Sequence, residues 1–168
     1  MELLSTFSND MIENYKKNGI TKFSLPSEIT QLQNDFLHDC CIFLKKYADF
    51  DTTPEKLPSD LVKLSKINRN IIGKLYKVSK RFKSSRALSC HPYFVEIAKT
   101  LMNTELISCY HLTIVRIDLP TEENFLMPAH QDFPYIQGSK NGLTLYLTFD
   151  DITSQHGVVS FKRASHKD

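Results

Sequence analysis

The chain has no tryptophan, only five glycines and only four cysteines in 168 residues. Each scarcity removes a class of protein. The absence of tryptophan and so few glycines give no hint of repeats or low-complexity sequence. No apolar run approaches the roughly 20 residues that a membrane-spanning helix needs. The opening Met1-Glu2-Leu3-Leu4-Ser5-Thr6-Phe7 lacks the basic start and sustained apolar stretch of a secretory signal. A soluble, cytoplasmic protein is therefore expected. Cys40 and Cys41 are adjacent while Cys90 and Cys109 stand alone, which matches neither a zinc spacing nor a disulfide framework, so the thiols should be reduced and mostly buried.

Acidic residues are missing from one long stretch. Between Asp60 and Glu96 there are none, while Lys63, Lys66, Arg69, Lys74, Lys77, Lys80, Arg81, Lys83 and Arg86 carry positive charge. Clustering of one sign concentrates anions nearby, whether the phosphates of a CoA or nucleotide, an anionic membrane or nucleic acid, so the strip is either a solvated helix face or such a surface, for example one that steers a phosphorylated or CoA-linked substrate. The formal net charge of the whole chain is only +2, and the interleaved arginines and aromatics of an RNA platform are absent. Nucleic acid is not an expected partner.

What is present suffices for a core. At 41% hydrophobic, residues 1–168 fit one domain, helical over 1–103 and β-rich over 104–168. From Pro26 to about Tyr47, Ile29, Leu32, Phe36, Cys40, Phe43 and Tyr47 recur at spacings of three and four, one face of an amphipathic helix. Pro54 and Pro58 interrupt that pattern, and Ser59 is placed to cap the next helix. There Leu61, Leu64, Asn68, Ile71, Leu75, Val78 and Phe82 keep a seven-residue rhythm with one polar position, which predicts a helix packed on the core. A last helix is predicted over Pro92 to Met102. Strands are predicted at about 106–117, 143–149 and 158–161. The clearest is 143–149, where Leu143, Leu145, Leu147 and Phe149 alternate with Thr144, Tyr146 and Thr148.

Just ahead of that strand lies Pro128-Ala129-His130-Gln131-Asp132-Phe133-Pro134-Tyr135. A strand sends alternate side chains to the same face, so His130 and Asp132 can share one metal ion. They supply two members of a 2-His-1-carboxylate triad, which binds Fe(II) and leaves positions open for co-substrate and oxygen. About 0.4 copies of His-x-Asp are expected by chance at this composition, so the tripeptide alone carries little. A second copy, His166-Lys167-Asp168, has no following strand and is read as coincidence.

Its setting carries more. Phe125-Leu126-Met127-Pro128-Ala129-His130-Gln131-Asp132, then Gly138-Ser139-Lys140-Asn141, the strand Leu143–Phe149 with Asp150-Asp151, then Gly157 and Ser165-His166-Lys167, follow one another in an order that resembles the phytanoyl-CoA dioxygenase family. Met11 to Ile20, with its Asn18-Gly19 turn, is similar to the family's first helix and the turn into a short strand. The resemblance implies an α+β fold, a double-stranded β-helix (cupin-like jelly roll) with N-terminal helices packed on the sheet, incomplete at its C-terminus. It implies an Fe(II)- and 2-oxoglutarate-dependent dioxygenase that uses O2 to hydroxylate a small organic substrate. His130 and Asp132 would be metal ligands, and Gln131 and Tyr146 would contact 2-oxoglutarate.

The sequence departs from the family in two places. Arg163-Ala164-Ser165-His166 replaces the family's Pro-Gly-Ser-His turn, and the family's distal metal His and 2-oxoglutarate Arg lie further on than Asp168. The expected explanation is that 1–168 is the N-terminal portion of a longer domain. No other histidine is expected to complete the triad: His156 falls in a polar turn, His111 reads as a hydrogen-bonded core residue, His166 sits outside the family's ligand position, and His38 and His91 lie on or beside helices. Two rivals remain open at this point. One is a non-catalytic binding or scaffold protein on a degenerate, truncated double-stranded β-helix. The other is an unrelated β-sandwich with a helical cap, on which His130 and Asp132 are a surface pair.

Overall fold

Helical periodicity governs the first hundred residues. The structure, a computed structural model, describes residues 8–110, 113–120, 122, 128–153, 156 and 158–167. Helix α1 spans Asn9–Asn18 and is closed at both ends by side-chain and backbone chemistry: Ser8 Oγ accepts from the Met11 N–H, and Gly19, at φ +74°, turns the chain out of the helix. A left-handed turn of that kind suits glycine because it has no Cβ to clash. Helix α2, Ser27–Ala48, buries Ile29, Phe36, Cys40, Phe43 and Leu44, as the three-and-four spacing predicts. Tyr47 departs from that face and is 61% exposed.

The next predicted helix divides. Helix α3 is Leu57–Ile67, α4 is Arg69–Ser79 and α5 is Lys83–Ser89. The break between α3 and α4 falls on Asn68, with φ −148° and ψ 79°. Asn68 is the single polar residue in the seven-residue rhythm. Phe82 likewise leaves the helix and becomes the residue before α5. Ser59 does not cap α3, which starts two residues earlier; its hydroxyl donates instead to the Lys56 carbonyl at 2.9 Å. Pro58 is tolerated inside the first turn because its missing N–H would have no helical partner there. Helix α6, Pro92–Met102, agrees with its predicted bounds, and the His91 ring accepts from the Tyr93 N–H at its start.

The helices belong to two compact units. One comprises Pro26–Cys90 and Cys109–Tyr135. In it α2 lies against α4 and α5, and α3 against α4. Its core joins Ile29, Phe36, Phe43 and Leu44 to Leu57, Leu64, Ile71, Ile72, Leu75 and Leu88. Phe82 stands 6.2 Å from the Phe36 ring and 6.4 Å from the Phe43 ring, and Ser84 Oγ donates to Asp39 at 2.6 Å. A forked pair from Arg69 to Glu122, both contacts 2.7 Å, ties the start of α4 to the segment that precedes the His130 region.

The other unit comprises Met1–Leu25, His91–Ser108 and Ile136–Asp168, with α1 against α6. Phe23 meets Tyr93 and Phe94 edge-on, and the Tyr93 hydroxyl donates to the Ser24 carbonyl at 2.7 Å. A final 3-10 turn, Ser165–Lys167, returns to α1. There Ala164 N–H donates to Asn18 O at 2.9 Å, and His166 Nε2 lies 3.1 Å from Lys16 O.

The expected double-stranded β-helix is not present among the described residues. Among the described residues there is no β-strand and no sheet, so the predicted strands at 106–117, 143–149 and 158–161 do not form. The expected α+β class with its cupin-like jelly roll is corrected to a helical architecture. The physical reason is visible in the burial: no described residue after Ala98 is buried. Apolar alternation makes a strand only when a ladder partner and a second layer cover it. Thiol burial is also half corrected: all four cysteines are free, Cys40 and Cys41 are buried, but Cys90 and Cys109 are exposed. Burial, with Cys41 and Asp39 nearby, pushes the Cys40 thiol up to about 12, so it stays protonated and inert. No described helix is long and apolar enough to cross a membrane.

Candidate functional site

The expected ligand pair is brought together, by a different device from the one expected. Residues 128–132 form a bend that leads into a short helix α7, Phe133–Ile136, instead of a strand. The bend sets His130 Nε2 3.4 Å from Asp132 Oδ1. His130 Nδ1 lies 2.7 Å from the Pro128 carbonyl oxygen. A carbonyl can only accept, so Nδ1 carries the proton and, in the neutral ring, Nε2 carries the lone pair. The Tyr135 ring stands edge-on to the imidazole with centroids 5.2 Å apart, further limiting its rotation.

This arrangement suits metal ligation. A hydrogen bond from one imidazole nitrogen to a backbone carbonyl fixes the tautomer of a ligating histidine. The 3.4 Å gap exceeds the roughly 2.7–2.9 Å of a charge-assisted hydrogen bond. It is close to the roughly 3 Å expected between two donors bound at right angles to one ion about 2.1 Å away. Both side chains are accessible, 28% and 46% exposed. The fit is partial, however: among the described residues no group of three His, Cys, Asp or Glu side chains could hold a metal. A complete iron centre is thus not found within them.

The remaining predicted residues are dispersed. Gln131 is exposed in the same bend. Tyr146 belongs to the other unit, on the 143–149 segment, and is 46% exposed. His156 is exposed, and its Nδ1 accepts from the Thr153 N–H at 3.0 Å, an ordinary turn contact. His166 serves α1, stacked near Tyr15 with ring centroids 6.5 Å apart. His111, the motif residues 125–127, Gly157 and Asp168 lie outside the described residues. A hollow lined by Met11, Ile12, Thr21, Phe23, Ile97, Thr100 and Leu101 includes none of the expected site residues.

Sequence reasoning did not single out the Pro128 carbonyl or Tyr135 as partners of His130. No sequence signal marks the first, since proline removes a backbone N–H and leaves its carbonyl an ordinary acceptor. The Arg69–Glu122 fork has no signal either, because 53 residues separate its members. Comparison of the chain with family models, with curated proteins and with solved structures finds no match.

Proposed function

We propose that His130 and Asp132 are two protein ligands of a non-haem Fe(II) site in a 2-oxoglutarate-dependent oxygenase acting on a small organic substrate. The observation that supports this reading is the imidazole locked through Nδ1–H to Pro128 O, with Nε2 turned toward the Asp132 carboxylate. Gln131 and Tyr146 are the candidate contacts for the co-substrate, and the third metal ligand is assigned to a residue outside those described.

Each residue has a distinct task in this reading. His130 presents a neutral nitrogen whose direction is fixed before any ion arrives. Asp132 supplies the negative charge that offsets part of a divalent cation's charge and, with its second oxygen, can accept from a bound water. Tyr135 shields one edge of the imidazole and keeps the ring from swinging away. Bound Fe(II) would supply open positions where 2-oxoglutarate and O2 meet, coupling decarboxylation of the co-substrate to hydroxylation of substrate carbon.

Metal binding tests the reading without requiring a substrate. Co(II) added anaerobically to the protein should produce visible d–d absorption, displaced by Fe(II). Both His130→Ala and Asp132→Ala should weaken binding by 10-fold or more, on the order of what loss of a ligand or its support costs. Because ligation requires a neutral imidazole and an ionised carboxylate, affinity should fall as the pH is lowered through the histidine range. Absorption and affinity unchanged in both variants would remove the pair from any metal site and leave a binding or scaffold role.

A further inference from the structure

We propose that the outward face of α4 is a docking surface for an anionic lipid membrane. Ile71, Ile72, Leu75 and Ser79 are buried, so the opposite side of the helix faces solvent. At 3.6 residues per turn, Asn70, Lys74 and Lys77 follow one another along that side, and Arg81 lies in the turn two residues past its end; all four are exposed. Lys66 and Lys83 extend the cationic surface beyond the two ends of the helix, and both are exposed.

The charge on this face is uncompensated. Of the nine cations between Asp60 and Glu96, Lys63 is paired with Asp60 and Arg69 with Glu122. Lys66, Lys74, Lys77, Lys80, Arg81 and Lys83 have no ion-pair partner among the described residues. Holding six like charges together on a short stretch is unfavourable in dilute solution and favourable against a surface of opposite sign.

Shape and apolar neighbours select the partner. Lys74 and Lys77 stand on the outward side of α4, while Lys66 belongs to α3, Lys80 and Arg81 to the turn after α4 and Lys83 to α5, so the charge is distributed over several elements and not gathered on one small phosphate. A plane of headgroups can engage all of them at once, with the lysine stems extended. Beside them stand exposed apolar side chains: Ile67 at 78%, Tyr76 at 41% and Val78 at 37%. Tyr76 and Val78 are the chain neighbours of Lys77 and flank it. Phosphates of a nucleic acid gain nothing from Ile67 or Val78, whereas a lipid interface accommodates apolar side chains and places tyrosine at headgroup depth. With one aromatic on the face, a base-stacking platform is not formed.

Vesicle sedimentation with the full chain tests this. The protein should bind vesicles containing about one-third phosphatidylserine, should not bind pure phosphatidylcholine vesicles, and should be released by raising the salt. Each surface cation is worth about five-fold in affinity, so the combined variant Lys74→Glu, Lys77→Glu, Arg81→Glu should lose about 100-fold or more. Ile67→Ser with Val78→Ser should weaken vesicle binding several-fold. Circular dichroism confirms folding; should the charge-reversed variant not fold, the Gln triple at the same positions replaces it, with a loss of at least ten-fold expected. Equal sedimentation with both vesicle types, no sedimentation with either, retained binding in the folded triple variant, or tighter binding to a DNA duplex at the same salt would each overturn the proposal.

Discussion

Residues 27–102 and residues 104–167 have similar supplies of apolar side chains, yet among the described residues only the first set buries them. In the helical stretch Ile29, Leu44, Ile72, Leu75 and Ile97 are at most 2% exposed. In the second stretch Leu106, Ile114, Leu145, Phe149, Val158 and Phe161 are between 37% and 84% exposed. The difference lies in what each kind of element requires. A helix closes its hydrogen bonds within itself and then needs only one apolar stripe against a neighbour. A strand needs a partner strand for its backbone and a further layer for its apolar face. Among the described residues the helices meet their condition and the β-type sequence does not.

Substitutions on the two sides should therefore differ most where the side chains are most alike. Leu75 is fully buried in α4, and Leu75→Ala should destabilise the unit by about 2–5 kcal/mol through lost burial and a residual cavity. Leu145 is 37% exposed, and Leu145→Ala should cost no more than about 0.5 kcal/mol. Urea midpoints of the two variants measure the contrast. Similar losses would mean that the 143–149 segment is covered as the strand pattern requires, and the comparison would collapse.

A smaller effect is expected where the C-terminal stretch meets α1, within one unit. The C-terminal turn binds the end of α1 through Ala164 N–H and His166. A Cβ added at Gly19 would run into the His166 imidazole, and the backbone there already has φ +74°. Gly19→Ala should cost about 1–2 kcal/mol for the left-handed conformation, with a further loss from displacing His166. Adding His166→Ala to Gly19→Ala should recover the second part only, as read from a double-mutant cycle of thermal stabilities. Full additivity would mean that the turn does not rest on α1.

The pattern of what the sequence revealed follows the same division. The α2 face and the Pro92–Met102 helix are legible because their signals are local: apolar spacing in the first, a first-turn proline and an asparagine after the last turn in the second. The α3–α4 break is legible only in hindsight, since the polar Asn68 that marks it also fits a tolerated polar position within a continuous helix. The β-helix expectation rested on alternation at 143–149 and on a resemblance, and neither supplies a ladder partner. His130 and Asp132 do come together, but two residues of separation allow several backbone shapes, and the structure uses a bend where alternation suggested a strand. Tyr146 and Gln131 were linked only through the expected barrel. Without its sheet, nothing local ties one to the other.

Gly73 gives the last and smallest contrast, with the opposite sign. It sits inside α4 on the partly exposed side, and a Cβ built there meets nothing within 4 Å. A helix-interior glycine costs about 0.5–1 kcal/mol relative to alanine because it loses more backbone freedom on folding. With no neighbour to displace, Gly73→Ala should stabilise the helical unit by about that amount, seen as a higher urea midpoint at an unchanged slope. Vesicle binding by the α4 face should be unaffected, since a methyl group adds neither charge nor bulk comparable to the flanking lysines. A loss of stability would mean that space beside Gly73 is filled in solution, and that the helical region is less self-sufficient than its buried core implies.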